Sequence, residues 1–210
     1  MSPLPPSLDL DALRSYVLGL ECGSFALAAQ RLCRSTSAVS AQLKKLEQQC
    51  GTDLVMKQGR HLVPTASGER LLGYAKRLLA LNDEAVLALN RRARAELILD
   101  GIVNALREVE LHDGTRAAAG DTVITRHNDR RLRSGRGWVS NSNRWTVTDV
   151  RDDDSLALRR AGRKRGGSVV IPADYAAEHL ELGYAVTSHF RRSMNGLDAW
   201  GSRGRGFESR

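Results

Sequence analysis

From Leu8 to Glu21 the apolar side chains Leu10, Leu13, Val17 and Leu20 recur at the spacing of one helix face, and Gly23 supplies a stop. A short second helix is predicted after it, with Ser24 as cap and Phe25, Ala28, Ala29 and Leu32 turned inward; the alanines let a neighbouring helix come close. After the break Cys33-Arg34-Ser35, a third helix runs from a Ser35 or Thr36 cap to about Gln49, ended by Gly51. Turned at about 3.6 residues per turn, it separates into two faces. Val39, Leu43 and Leu46 lie on one; Ser37, Ser40, Ala41 and Lys44 lie on the other, with Lys45 on the flank.

A polar stripe of this kind is the ordinary solvated face of a surface helix. It is also a face that fits a DNA major groove, because short side chains let the backbone approach, hydroxyls bond bases or phosphates, and lysine neutralises phosphate. The order of the parts separates these readings. Two helices joined by a three-residue turn make a helix-turn-helix. Leu54–Thr65 (LVMKQGRHLVPT) then reads as a strand, a turn at Gly59 flanked by Lys57, Arg60 and His61, and a second strand stopped by Pro64, which is a wing. A long helix follows from about Ala66 to Asn90. Its stripe Leu72, Ala75, Leu79, Asn82, Val86 and Leu89 fits either packing on its own domain or a coiled-coil seam with a partner chain.

Four segments, Leu10–Val17 (LDALRSYV), Gly23–Leu32 (GSFALAAQRL), Ser35–Glu47 (STSAVSAQLKKLE) and Leu62–Glu69 (LVPTASGE), together with their spacing, resemble the N-terminal domain of the LysR-type transcriptional regulators. The resemblance implies a winged helix-turn-helix, homodimerisation through the helix after the wing, and base readout by the outward face of the third helix. Carried over by position, it implies DNA contacts at Arg34, Ser37, Ser40, Lys44 and Arg60, with Ala41 and Lys45 on the same helix surface. Thr36 stands where the family has glutamine and Ala41 where it has a longer polar side chain, which shortens two common base readers. Val55 and Lys57 replace a phenylalanine and an arginine of the family at the entry to the wing.

The second half has a different pattern. Helical character persists through Leu89–Ile98. Short β-like runs follow at Thr122–Arg126, Arg144–Val150, Ser155–Arg160 and Ser168–Ile171, separated by Gly, Asn and Asp clusters, as in a small half-buried antiparallel sheet or barrel. Leu89–Ile98, Gly120–Asp129 (GDTVITRHND), Trp145–Thr148 (WTVT) and Leu182–His189 (LGYAVTSH) are similar to the helicase portion of conjugative relaxase–helicases of the TrwC/TraA type. That resemblance implies an SH3-like module over about residues 86–190. The phosphate-cradling GxxxxGK[ST] loop is missing, Gly162–Ser168 (GRKRGGS) is no substitute for it, and the histidines are scattered. No catalytic residue, metal or cofactor is therefore expected. Arg126, Arg130, Arg131 and Arg133, interleaved with Trp138 and Trp145, read either as a track for single-stranded DNA or as turn charges around core tryptophans.

Charge and cysteines change the picture little. The chain has 210 residues and a net charge of +8, carried mostly by residues 91–210, which favours a polyanionic partner. Cys22, Cys33 and Cys50 show no metal or redox spacing and read as buried reduced thiols in a reducing compartment. No apolar run approaches the roughly 20 residues of a membrane span, and Met1–Ser7 lacks signal-peptide character, so a cytoplasmic protein without membrane association is expected. Trp200–Arg210 reads as part of a disordered basic tail, and Gly206–Ser209 matches codon reading of a transfer-RNA arm, as in a recombined or truncated frame.

The expectation is an α+β chain in four parts: a winged helix-turn-helix at 8–65, a linker and dimerisation helix at 66–98, a small β-rich SH3-like module at 99–190 and a tail at 191–210. The expected function is sequence-specific binding of double-stranded DNA in LysR-type transcriptional regulation, without the family's effector-binding domain or a small-molecule effector. The alternative is a non-catalytic relaxase–helicase fragment with non-specific DNA binding or no selected activity.

Overall fold

The computed structural model describes residues 7–59, 61–162 and 167–185. Two compact units meet in sequence between Ala85 and Val86. The architecture is α+β: a helical N-terminal segment, a long helix, then small antiparallel sheets. The expected tail, the wing residue Arg60, the cations of Gly162–Ser168 and the segment Val186–His189 lie outside the described residues.

In the first unit, α1 (Leu10–Glu21) starts where the Asp9 carboxylate accepts from the amides of Asp11 and Ala12, at 2.9 and 3.2 Å. Such a cap satisfies amide donors that have no partner inside the helix. The φ of +62° at Gly23 then turns the chain into α2 (Phe25–Arg31), whose Ala28 and Ala29 are buried. The Phe25 ring fills the space where Gly19 would carry a side chain, so glycine there allows α1 and α2 to approach. α3 (Thr36–Cys50) is capped by the Ser35 hydroxyl, which accepts from Ala38 N at 3.2 Å, and ends at Gly51 in the left-handed region. Strands β1 (Val55–Gln58) and β2 (His61–Pro64) pair antiparallel across the Gly59 turn, with Val55 opposite Pro64.

Helix α4 (Ala66–Leu99) is 34 residues long. Its first turn is held by Thr65, whose hydroxyl donates to Asp53 O at 2.8 Å and accepts from Gly68 N at 3.1 Å. The core of this unit gathers Leu13, Tyr16 and Val17 of α1, Leu43 and Leu46 of α3, Leu54 before the wing, and Ala75 and Leu79 of α4.

The second unit begins within α4. Hairpin β3 (Asn104–Glu110) with β4 (Arg116–Ala119) is followed by β5 (Thr122–Thr125) and a second hairpin, β6 (Asp129–Ser134) with β7 (Gly137–Val139). Next come β8 (Arg144–Val150), β9 (Leu156–Arg160), β10 (Ser168–Ile171), the short α5 (Ala173–His179) and β11 (Leu180–Leu182). Five of the strands form one antiparallel sheet in the order β10-β9-β8-β5-β11. Trp145, Val123, Val147, Leu156, Leu158, Ile171 and Leu180 fill its core. Arg94, in the last turns of α4, reaches Asp121 at 2.9 Å and Glu108 at 2.6 Å. The Tyr184 hydroxyl donates to the other oxygen of Asp121 at 2.5 Å, and burial together with this carboxylate pushes the tyrosine's pKa up.

Candidate nucleic-acid interface

The turn between α2 and α3 closes on backbone bonds, Leu32 N to Ala28 O and Arg34 N to Ala29 O, each 2.9 Å. Cys33 takes the left-handed conformation at its centre, with φ of +51°. Glycine is the usual residue at such a position. α3 is then fixed by its apolar side: Val39 and Leu46 are fully buried and Leu43 is 7% exposed. The Ser15 hydroxyl donates to the Gln42 side chain and ties α1 to α3.

With that side anchored, Ser37, Ser40, Ala41 and Lys44 all face solvent. They are brought together on one strip of α3, whose N-terminal end carries the hydroxyl pair Ser35 and Ser37, 3.1 Å apart. Among the described residues Lys44 has no carboxylate partner. Lys45 is engaged with the Asp9 cap at 2.6 Å and holds that carboxyl below the usual carboxylate range, with burial opposing. Arg34 is half-buried and stands 4.0 Å from Asp11. These two cations serve the α1 terminus in the structure, whereas Lys44 projects from it.

The wing is joined to the helices by Leu62 N donating to Gly23 O at 3.3 Å. Val55 packs against the core even though it is smaller than the aromatic residue the resemblance leads one to expect, and Lys57 is exposed.

On α4 the burial differs from the simple stripe. Ala75 and Leu79 are buried in the unit's own core, and the half-buried Leu72 packs against it. Asn82 and Val86 are half-buried and Leu89 is 58% exposed. On the part of α4 that belongs to the first unit, the exposed large apolar side chains are instead Tyr74, Leu78 and Leu81, at 64%, 41% and 63% exposure. They too are spaced by four and three residues. Periodicity finds both stripes, and only the position of the core says which is spent inside.

In the second unit, Trp145 is fully buried and Trp138 lies half-buried beneath the Arg130 guanidinium. Trp145 offers no face to a base, and Arg130 lies over one face of Trp138. Among the described residues no group of three or more His, Cys, Asp or Glu is arranged to hold a metal ion, and no helix is long and apolar enough to cross a membrane.

The family described as "Bacterial regulatory helix-turn-helix protein, lysR family" matches residues 10–69. The transcriptional regulator PecT of Dickeya dadantii is 45% identical over 83 residues, covering 40% of this chain and 26% of PecT. The regulator DgdR of Burkholderia cepacia is 44% identical over 80 residues, covering 38% of this chain and 27% of DgdR. Among solved structures, the BenM DNA-binding domain in complex with catB site 1 DNA is 33% identical, covering 40% of this chain and 96% of that one, with a TM-score of 0.39. The chain therefore spans about a quarter of the length of these curated relatives. The family match stops at residue 69, and the likeness of residues 86–190 to relaxase–helicases finds no support in it. Over residues 10–69 the chain is similar to the helix-turn-helix domain of the bacterial lysR family.

Proposed function

We propose that the chain is a DNA-binding transcriptional regulator in which α3 enters the major groove of duplex DNA. The observation that carries this is the strip Ser37, Ser40, Ala41 and Lys44, fully outside while the opposite side of the same helix is locked in the core. Ser37 and Ser40 address base edges, and Ala41 gives the groove floor room. Lys44 neutralises phosphate, Arg34 and Lys45 flank the strip, and Arg60 of the wing contacts the backbone. The protein acts as a homodimer through α4, with Tyr74, Leu78 and Leu81 as the seam in place of the stripe that supplies the core.

The test is a fluorescence-anisotropy titration of the whole chain onto duplex from upstream of its own gene and onto a scrambled duplex, at two salt concentrations. A preference of about a hundredfold or more for the native duplex is expected of a sequence-specific regulator. Lys44→Ala should weaken binding to both duplexes and lower the salt slope by about one unit. Ser40→Ala should change the preference and leave the slope. Equal affinity for both duplexes would reject sequence-specific regulation, and an unchanged slope for Lys44→Ala would reject its phosphate contact. Leu81→Glu should shift the sedimentation equilibrium from dimer to monomer; a wild-type chain that sediments as a monomer at micromolar concentration would reject the seam.

A further inference from the structure

The β6–β7 hairpin concentrates cations in the second unit. Asp129–Val139 carries Arg130, Arg131, Arg133 and Arg136 against a single acid, Asp129, and Arg131 satisfies that acid at 2.7 Å. Arg130, Arg133 and Arg136 are exposed, and none has a carboxylate partner among the described residues. Arg133 is the register partner of Trp138, and cross-strand partners share a face of the ladder. The Arg130 guanidinium lies over the same ring, 5.5 Å from its centroid. Arg130 and Arg133 therefore share the Trp138 face. Arg136 sits at the tip, beside Gly135 with φ of +58°. Leu132 and Val139 tie the hairpin to the core, so the cations are mounted on a fixed support.

From this we infer a second DNA contact: the β6–β7 hairpin binds the sugar-phosphate backbone of duplex DNA through Arg130, Arg133 and Arg136, adding affinity without sequence preference. Guanidinium groups match phosphate in charge and geometry. The chemistry of the surface selects this occupant. Trp145 is fully buried and Arg130 lies over the half-buried Trp138, so the hairpin presents no row of open aromatic platforms of the kind that single-strand binding uses. The hairpin exposes no large apolar side chain that would anchor a protein hot spot or enter a bilayer. Backbone contact needs neither. The inference rests on the proposed regulator only in taking duplex DNA as the shared ligand, since two linked modules on one polymer raise each other's effective concentration.

The experiment uses the full chain with Arg130, Arg133 and Arg136 all changed to Gln, and a control in which the exposed Arg91, Arg151 and Arg159 are changed to Gln. Anisotropy is read on native duplex, scrambled duplex and oligo-dT over a salt series, with circular dichroism to confirm folding. The hairpin variant should lose about two to three units of salt slope on both duplexes, so that its affinity deficit shrinks by roughly 40-fold between about 50 and 200 mM salt. The native-to-scrambled preference should stay as in wild type. Restoring the three positions as lysine should recover the slope. An unchanged slope, an equal loss in the control, or a loss confined to oligo-dT would each overturn the inference. Failure of the α3 reading shows separately, as Lys44→Ala without effect in an otherwise intact chain.

Discussion

Tyr16 illustrates what a single buried group contributes. Its ring is part of the first unit's core, yet its hydroxyl is buried without a hydrogen-bond partner among the described residues. Burial, with Glu69 nearby, pushes its pKa up to about 12. Since the folded state holds the proton more tightly than the unfolded chain, stability is full below the ordinary tyrosine range and is lost as pH rises from about 10 toward about 12. Tyr16→Phe should therefore unfold no more easily than wild type at neutral pH, because an unpaired buried hydroxyl costs about 1–3 kcal/mol. It should also flatten the alkaline limb. Urea melts at neutral pH and near pH 11 check both, and a variant less stable at both would show that the hydroxyl is satisfied. The acidic counterpart is Asp129, held down to about 2 by Arg131, first through its side chain and then through its amide. Its contribution is present above the ordinary aspartate range and is lost as pH falls from about 4 toward about 2. In acid titrations followed by tryptophan emission, Asp129→Asn should depend less on pH across that window.

At the scale of elements, Gly68 governs how α4 leaves the wing. A side chain there would overlap the Leu54 carbonyl and press on the Tyr16 hydroxyl. Gly68→Ala should cost at least about 2 kcal/mol through overpacking, despite alanine's better helix propensity. Thermal unfolding followed at 222 nm measures it, and an unchanged midpoint would mean that α4 shifts freely. The elements of the first unit were legible in sequence because each has a period and punctuation: Ser35 and Gly51 bound α3, and Gly59 and Pro64 bound the wing strands. The face of α3 was legible for the same reason. The partition of α4 was not, since Leu72-Ala75-Leu79 and Tyr74-Leu78-Leu81 are equivalent until Leu13, Tyr16 and Leu46 fix where the core lies. In the second unit β8 and β10 stand at the residues their alternation marks. β3 and β6 escape because Asn104–Glu110 and Asp129–Ser134 are charge-rich and broken by bulges. β4 escapes because Arg116–Ala119 is an alanine run without β propensity.

For the whole molecule, the two hydrophobic clusters share no residue. Trp138 and Trp145 report on the second unit, while α1, α2 and α3 place most short-helix signal in the first. Leu46→Ala should lower the midpoint seen by circular dichroism and leave the tryptophan transition in place, whereas Leu158→Ala should do the reverse, each by about 2–5 kcal/mol. Coincident shifts would show that the units unfold as one. Arg94→Met should be costly to the second unit, by about 3–5 kcal/mol, because it strands the fully buried Asp121 carboxylate. That buried cluster also limits how the chain can vary. Any register of α4 that carries Arg94 away would leave the fully buried Asp121 without its cation, so misthreaded arrangements of the module are rejected by a charge they cannot answer. Substitutions that keep the fold must change Arg94, Glu108 and Asp121 together, and drift at these three positions is expected to be correlated.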